Sequence, residues 1–153
     1  MRKCAQALAK KKYCISFIES ATCGYLAYRF ALTPESGKIL VGSLACYDLK
    51  VKKNILGVPQ KLVKKYSPES MQVTEELARR APKLFDCDIY VACTGLLKKG
   101  GSETRNKPVG TFFYSILYQN KIYNQRCHFT GTPQQKLDKV FKKICKTLIK
   151  LIK

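Results

Sequence analysis

The chain has 153 residues and a mass of 17.4 kDa, enough for one core that buries roughly 68–70% of the surface an unfolded chain exposes, with no need for a second domain. Its formal charge is +19, but 23 of the 29 basic residues are Lys and only 6 are Arg. They lie in scattered blocks such as Lys10–Lys12, Lys64–Lys65 and Lys142–Lys143, so a solvated surface is favoured over a nucleic-acid footprint. Eight cysteines without a Cys-x-x-Cys pair, and a single histidine, His128, argue against a disulfide scaffold and a His-based zinc site; a reducing compartment is expected, with no metal and no cofactor.

The pattern along the chain alternates helix-like and strand-like runs. A helix is predicted before residue 12. The apolar run Cys4 to Ala9 superficially suggests a leader, but Gln6 interrupts it and Lys10, Lys11 and Lys12 end it, too short for a signal segment. No stretch approaches the roughly 18 apolar residues of a membrane span, so a soluble cytoplasmic protein is expected. A strand at 13–19 leads to a helix over about 22–32, stopped by Thr33 and Pro34. A loop at 35–38, a strand at 39–46 and a short helix through 55 follow. Pro59 starts another short helical turn, and Pro68 makes a further break. Over 71–84, Val73, Leu77, Ala78, Ala81 and Leu84 share one face of an amphipathic helix. Strands are predicted at 88–93, 109–118 and 121–129, the last two joined as a hairpin by Gln119 and Asn120. A terminal helix over 134–152 places Leu137, Val140, Phe141, Ile144, Leu148 and Leu151 on one stripe. No internal repeat or linker is visible.

The densest chemical signal is Glu19 Ser20 Ala21 Thr22 Cys23 Gly24, at the predicted change from strand to helix. A hydroxyl there sits beside unpaired helix N–H groups that stabilise developing negative charge, which makes Ser20 a candidate nucleophile. The same position suits a plain N-cap. Cys23 lies beside Ser20 at the helix start as a rival nucleophile, but no histidine is near enough in sequence to suggest a Cys–His pair, so Ser20 is preferred.

Three segments together resemble the C-terminal amidohydrolase domain of the CinA family, the nicotinamide-nucleotide (NMN) amidases, over nearly the whole chain. These are the Ser20 motif; residues 42–59, with Tyr47, Lys52 and Leu56 Gly57 Val58 in register; and residues 88–111, a strand ending in Thr94 Gly95, a glycine-rich loop and the Lys107 Pro108 Val109 Gly110 Thr111 exit. The resemblance implies a single-domain α/β/α three-layer sandwich with a mixed sheet spanning 1–153. It also implies a stand-alone domain without the larger N-terminal domain that many members carry.

The implied reaction is hydrolysis of the NMN carboxamide to nicotinic acid mononucleotide and ammonia, without a cofactor. By the same resemblance Ser20 is the nucleophile, Lys52 its base, and Tyr47 and Thr94 orient the amide or relay protons. Thr22, Gly24, Gly42, Gly95, Lys98, Lys99, Gly100 and Gly101 contact substrate. Family members are often dimers or higher oligomers, which leaves a homo-oligomer open here.

The chain departs from the family pattern at three places. Ala21 and Cys23 stand for a Cys and a Gly, with the Cys23 side chain expected to crowd a backbone that approaches the substrate closely. Leu97 Lys98 Lys99 Gly100 Gly101 replaces an Ala Gly Pro Gly Gly loop. Gly131 Thr132 Pro133 Gln134 replaces a segment that carries the phosphate-binding arginine, which makes Lys98, Lys99 or Lys107 the expected phosphate contact. The alternatives are a domain that has lost turnover and serves as a nucleotide-binding or interaction module, and an electrostatic nucleic-acid binder.

Overall fold

The computed structural model describes residues 2–153; Met1 lies outside them. The elements are α1 (Arg2–Lys11), β1 (Ile15–Glu19), α2 (Tyr25–Ala31), α3 (Ser36–Ile39), β2 (Leu40–Ala45), α4 (Leu49–Asn54), α5 (Gln60–Tyr66), α6 (Met71–Arg80) with a 3₁₀ turn at Ala81–Lys83, β3 (Ile89–Gly95), β4 (Thr111–Tyr118), β5 (Lys121–His128) and α7 (Pro133–Leu151). The strands form one mixed sheet in the order β2-β1-β3-β4-β5. The first three are parallel, and β4 and β5 are antiparallel additions.

Side-chain alternation separates the two helical layers. Ile15 and Phe17 of β1, with Ile89, Val91 and Cys93 of β3, pack against Cys4 and Leu8 of α1, Leu26 and Phe30 of α2, and Val140, Phe141, Ile144 and Leu148 of α7. Ile18, Tyr90 and Ala92 point the other way, onto Leu56, Val58, Val63, Val73, Leu77 and Ala78 around α4, α5 and α6. The central strands are therefore buried on both faces, which accounts for their continuous apolar runs. The result is the three-layer α/β sandwich expected from the sequence.

The chain leaves β1 through α2 and α3 to reach β2 on one side, then through α4, α5 and α6 to reach β3 on the other. The carboxyl ends of β1 and β3 thus form a topological switch point, where open α/β sheets bind ligands.

Three local expectations are corrected. The helix predicted from residue 22 begins at Tyr25, because Cys23 (φ 44°) and Gly24 (φ 92°) take left-handed conformations that a helix cannot include. The loop predicted at 35–38 is instead a helical turn, Ser36–Ile39, nucleated by a bond from Ser36 N–H to Thr33 C=O and fastened by the buried Ile39. Leu84 does not continue the apolar stripe of α6. The helix ends at Arg80, Pro82 lies within the 3₁₀ turn that follows, and Leu84 ends 39% exposed. The Gln119 and Asn120 hairpin is as predicted, with φ of 50° and 60° at the two turn residues.

Candidate active site at the strand switch point

The site is built around the turn that follows β1. Ser20 continues the ladder by one step: its N–H donates to Cys93 C=O at 2.9 Å, and on the other side Cys46 N–H donates to Glu19 C=O at 2.7 Å. Register pairs Ile18 with Ala92 and with Leu44, so Ser20 lies level with Thr94 and Cys46, on the sheet face that carries α4 to α6.

Glu19 is fully buried on the opposite face and folds back over the first turn of α2. Its Oε2 accepts the N–H groups of Gly24 (3.0 Å) and Leu26 (2.9 Å), and its Oε1 accepts Ala27 N–H (3.0 Å) and the Ser43 hydroxyl (3.1 Å). This corrects the sequence reading of the turn. The helix N–H groups expected to stabilise charge beside Ser20 are already spent on the Glu19 carboxylate. Among the described residues, Ala21 N–H, next to Ser20, has no acceptor.

A cleft of about 220 Å³ opens at this point, lined by Ser20, Ala21, Tyr47, Glu69, Gly95, Leu96, Leu97 and the loop Lys98–Gly101. Of the substrate residues expected from the sequence, Gly95, Lys98, Lys99, Gly100 and Gly101 therefore gather with Ser20 and Tyr47. Glycine is required at 95 because a Cβ there would lie 2.5 Å from the Phe112 ring. Thr22, Gly24 and Gly42 are not in the lining. Thr22 is buried with its hydroxyl unpartnered, Gly24 turns its N–H to Glu19, and Gly42 faces Phe85. Cys23 is exposed and outside the lining, so the crowding expected from its side chain is absent; its cost is in the backbone.

Lys52 is 1% exposed, on the inner face of α4, whose start is capped by Asp48 accepting Lys50 N–H at 2.6 Å. Its Nζ donates to Cys46 C=O at 2.6 Å and Tyr47 C=O at 3.3 Å, and no carboxylate pairs with it among the described residues. Burial lowers its pKa from the ordinary lysine value, opposed by the charges of Cys46, Glu69 and Asp48. Tyr47 sits at the cleft rim with 62% of its surface exposed.

Thr94 is wholly buried and makes a 2.7 Å hydrogen bond with Thr74. The Thr74 hydroxyl gives its proton to Ser70 C=O, so Thr94 is the donor of the pair and keeps its acceptor lone pairs.

Lys107 is removed as a phosphate contact. Its three N–H bonds go to Ser67 Oγ (2.6 Å), Ser102 Oγ (2.7 Å) and Glu69 C=O (2.8 Å), tying the glycine-rich loop to the segment before α6. Gln134, in the position of the missing arginine segment, donates to Tyr25 Oη at 3.1 Å. It joins Arg29 and Asp138 in a clip between α2 and α7.

Three residues that matter here carried no separate signal in the sequence. Glu19 was part of a motif but had no assigned task. Glu69 enters the cleft only through the α5–α6 turn. Lys136 is buried in the first turn of α7 and holds Leu97 C=O at 2.7 Å.

These features define a class: an open-sheet α/β domain with a polar ligand cleft at its switch point. Comparison with known proteins names the family. The family model for the CinA C-terminal domain matches residues 1–152. A CinA-like protein of Prochlorococcus marinus is 39% identical over 103 residues, covering 67% of this chain and 24% of that protein. One from Pseudothermotoga lettingae is 34% identical over 130 residues, 84% of this chain and 31% of its own length. Crystal structures of CinA superfamily proteins from Escherichia coli and Klebsiella pneumoniae superpose with TM-scores of 0.90 and 0.92. Their identities are 25% and 22%; the alignments cover 98% and 99% of this chain and 87% and 94% of theirs. The chain belongs to the CinA C-terminal domain family, and spans about a quarter to a third of the curated relatives it matches.

Proposed function

We propose that this domain is a nicotinamide-nucleotide amidase that hydrolyses the carboxamide of NMN to nicotinic acid mononucleotide and ammonia by a Ser20–Lys52 mechanism. The observation that carries this reading is the buried Lys52 amine, which has no carboxylate partner among the described residues. An unpaired buried cation is costly, which weakens the hold of Lys52 on its proton and suits the amine to act as a base.

In this reading Lys52 accepts the Ser20 hydroxyl proton as Oγ attacks the amide carbon. Ala21 N–H donates to the oxyanion. The proton held by Lys52 then leaves with ammonia, and a water hydrolyses the Ser20 ester by the same steps. Tyr47 orients the amide at the cleft rim, Thr94 supports the end of β3 from behind the lining through its bond to Thr74, and Lys98 and Lys99 receive the phosphate. The test is ammonia release from NMN at near-neutral pH, without added metal, by the unmodified protein and by Ser20→Ala and Lys52→Met. Loss in both variants supports the reading. Activity retained in Ser20→Ala, or none in any of the proteins, refutes it.

A further inference from the structure

We propose that Glu69 selects substrates with a positive charge beside the scissile carboxamide, which makes it the specificity-determining residue for a cationic ring over a neutral one. This rests on the amidase reading for the identity of the reacting group, and on the cleft itself for the charge.

Glu69 is the single acidic side chain among the residues that line the cleft, in a chain with 10 acidic residues and 29 basic ones. It enters from the turn before α6, whose cap is the adjacent Ser70. Its Oε2 accepts the Ser102 hydroxyl, Oε1 has no partner among the described residues and is not a buried atom, and no Lys or Arg nitrogen pairs with the carboxylate. Lys107 reaches the backbone carbonyl of Glu69 and the Ser102 hydroxyl, so its ammonium lies one hydrogen bond from the carboxylate without a direct ion pair, and Lys52 and Lys107 both feel the Glu69 charge.

The cleft therefore has a dipolar wall. Lys98 and Lys99 stand on the glycine-rich loop, and the Glu69 carboxylate, held through Oε2 by Ser102, stands on the α6 side. A ligand that is anionic at one end and cationic at the other matches both. The exposed Tyr47 ring at the same rim supplies an aromatic face, which also favours a cation over an uncharged ring.

The test compares two ligands of one shape: NMN, with its cationic ring, and benzamide riboside monophosphate, whose ring is neutral and whose carboxamide and phosphate are the same. Dissociation constants are measured by calorimetry, and KM for NMN is measured beside them. Glu69→Gln keeps the side-chain volume and the Ser102 contact, and is expected to weaken NMN about tenfold, the size of one modest charge contact, while the neutral ligand changes less than about twofold. Ser102→Ala removes the Oε2 contact but keeps the charge, and is expected to retain the preference for NMN. Equal weakening of both ligands, no change in either, loss of the preference in Ser102→Ala, or failure of the unmodified protein to prefer NMN overturns the proposal. Binding with the expected preference but without ammonia release would refute the amidase reading and leave the charge selection standing.

Discussion

Replacing Lys52 with Met separates the cost of the buried amine from its use. Met fills a similar volume without a charge. The exchange removes the desolvation penalty of an ammonium that is 1% exposed and has no carboxylate partner among the described residues; it orphans the buried Cys46 carbonyl, which now accepts from Nζ at 2.6 Å, and gives up the longer 3.3 Å contact to the part-buried Tyr47 carbonyl. A buried charge costs several kcal/mol and an orphaned carbonyl about 1–3 kcal/mol, so a net stabilisation of about 1–2 kcal/mol is expected at pH 6.

Burial lowers the folded pKa of Lys52 below its unfolded value, so between those two values the unfolded chain binds more protons. Stability of the unmodified protein therefore rises with pH across that window, by about 1.4 kcal/mol for each unit of lowering, and levels off above the unfolded lysine value near roughly 10.4. The advantage of Lys52→Met should be largest near pH 6 and shrink toward pH 10. Urea unfolding of both proteins at several pH values measures it. A difference that does not change with pH would mean that the folded amine titrates as in water, and the argument for Lys52 as a neutral base would fail.

Glu19→Ala orphans three backbone N–H groups and the Ser43 hydroxyl around a fully buried site, and is expected to cost about 3–5 kcal/mol in denaturant unfolding, against less than half of that for Ser43→Ala. Cys23→Gly relieves a side chain at φ 44° and should stabilise by about 1 kcal/mol, with ammonia release retained because the thiol is outside the cleft. Lys98→Ala with Lys99→Ala should raise KM for NMN more than it lowers kcat, and an unchanged KM would remove the loop lysines from the phosphate site. Lys107→Met breaks three hydrogen bonds between the loop and the segment before α6; faster backbone amide exchange over residues 98–106 is expected, with that of β3 unchanged.

Much of this architecture was legible because it is local. The apolar runs of β1 and β3, the Gln119 and Asn120 turn and the stripe of α7 follow from alternation, turn chemistry and helical period, each confined to a few neighbouring residues. The fate of the lysines was not legible. The chain has 23, and Lys52, Lys107 and Lys136 differ from the rest only in what surrounds them after folding. Burial of a lysine is decided by contacts 5 to 40 positions away, which no spacing rule records. Lys52 was singled out by family register alone, and Glu69 by nothing, since a lone glutamate after a proline carries no motif.

The same distinction bears on how negative charge is handled beside Ser20. A strand that turns into a helix suggests a ready anion site, yet here the strand supplies its own anion: Glu19 occupies the donors of α2 from the opposite face of the sheet. That carboxylate fixes the turn and thus the direction of the next side chain, but it also cancels the helix as a source of positive potential. A serine placed there depends on other groups for its reactivity. Lys52 is confined one strand away under Cys46, where burial biases it toward the neutral form, and the Ala21 amide is the near donor left over. The helix end therefore serves the turn, and in the proposed amidase reading the proton transfer falls to Lys52, which is why the pH dependence of Lys52→Met tests more of this arrangement than any change at the helix itself.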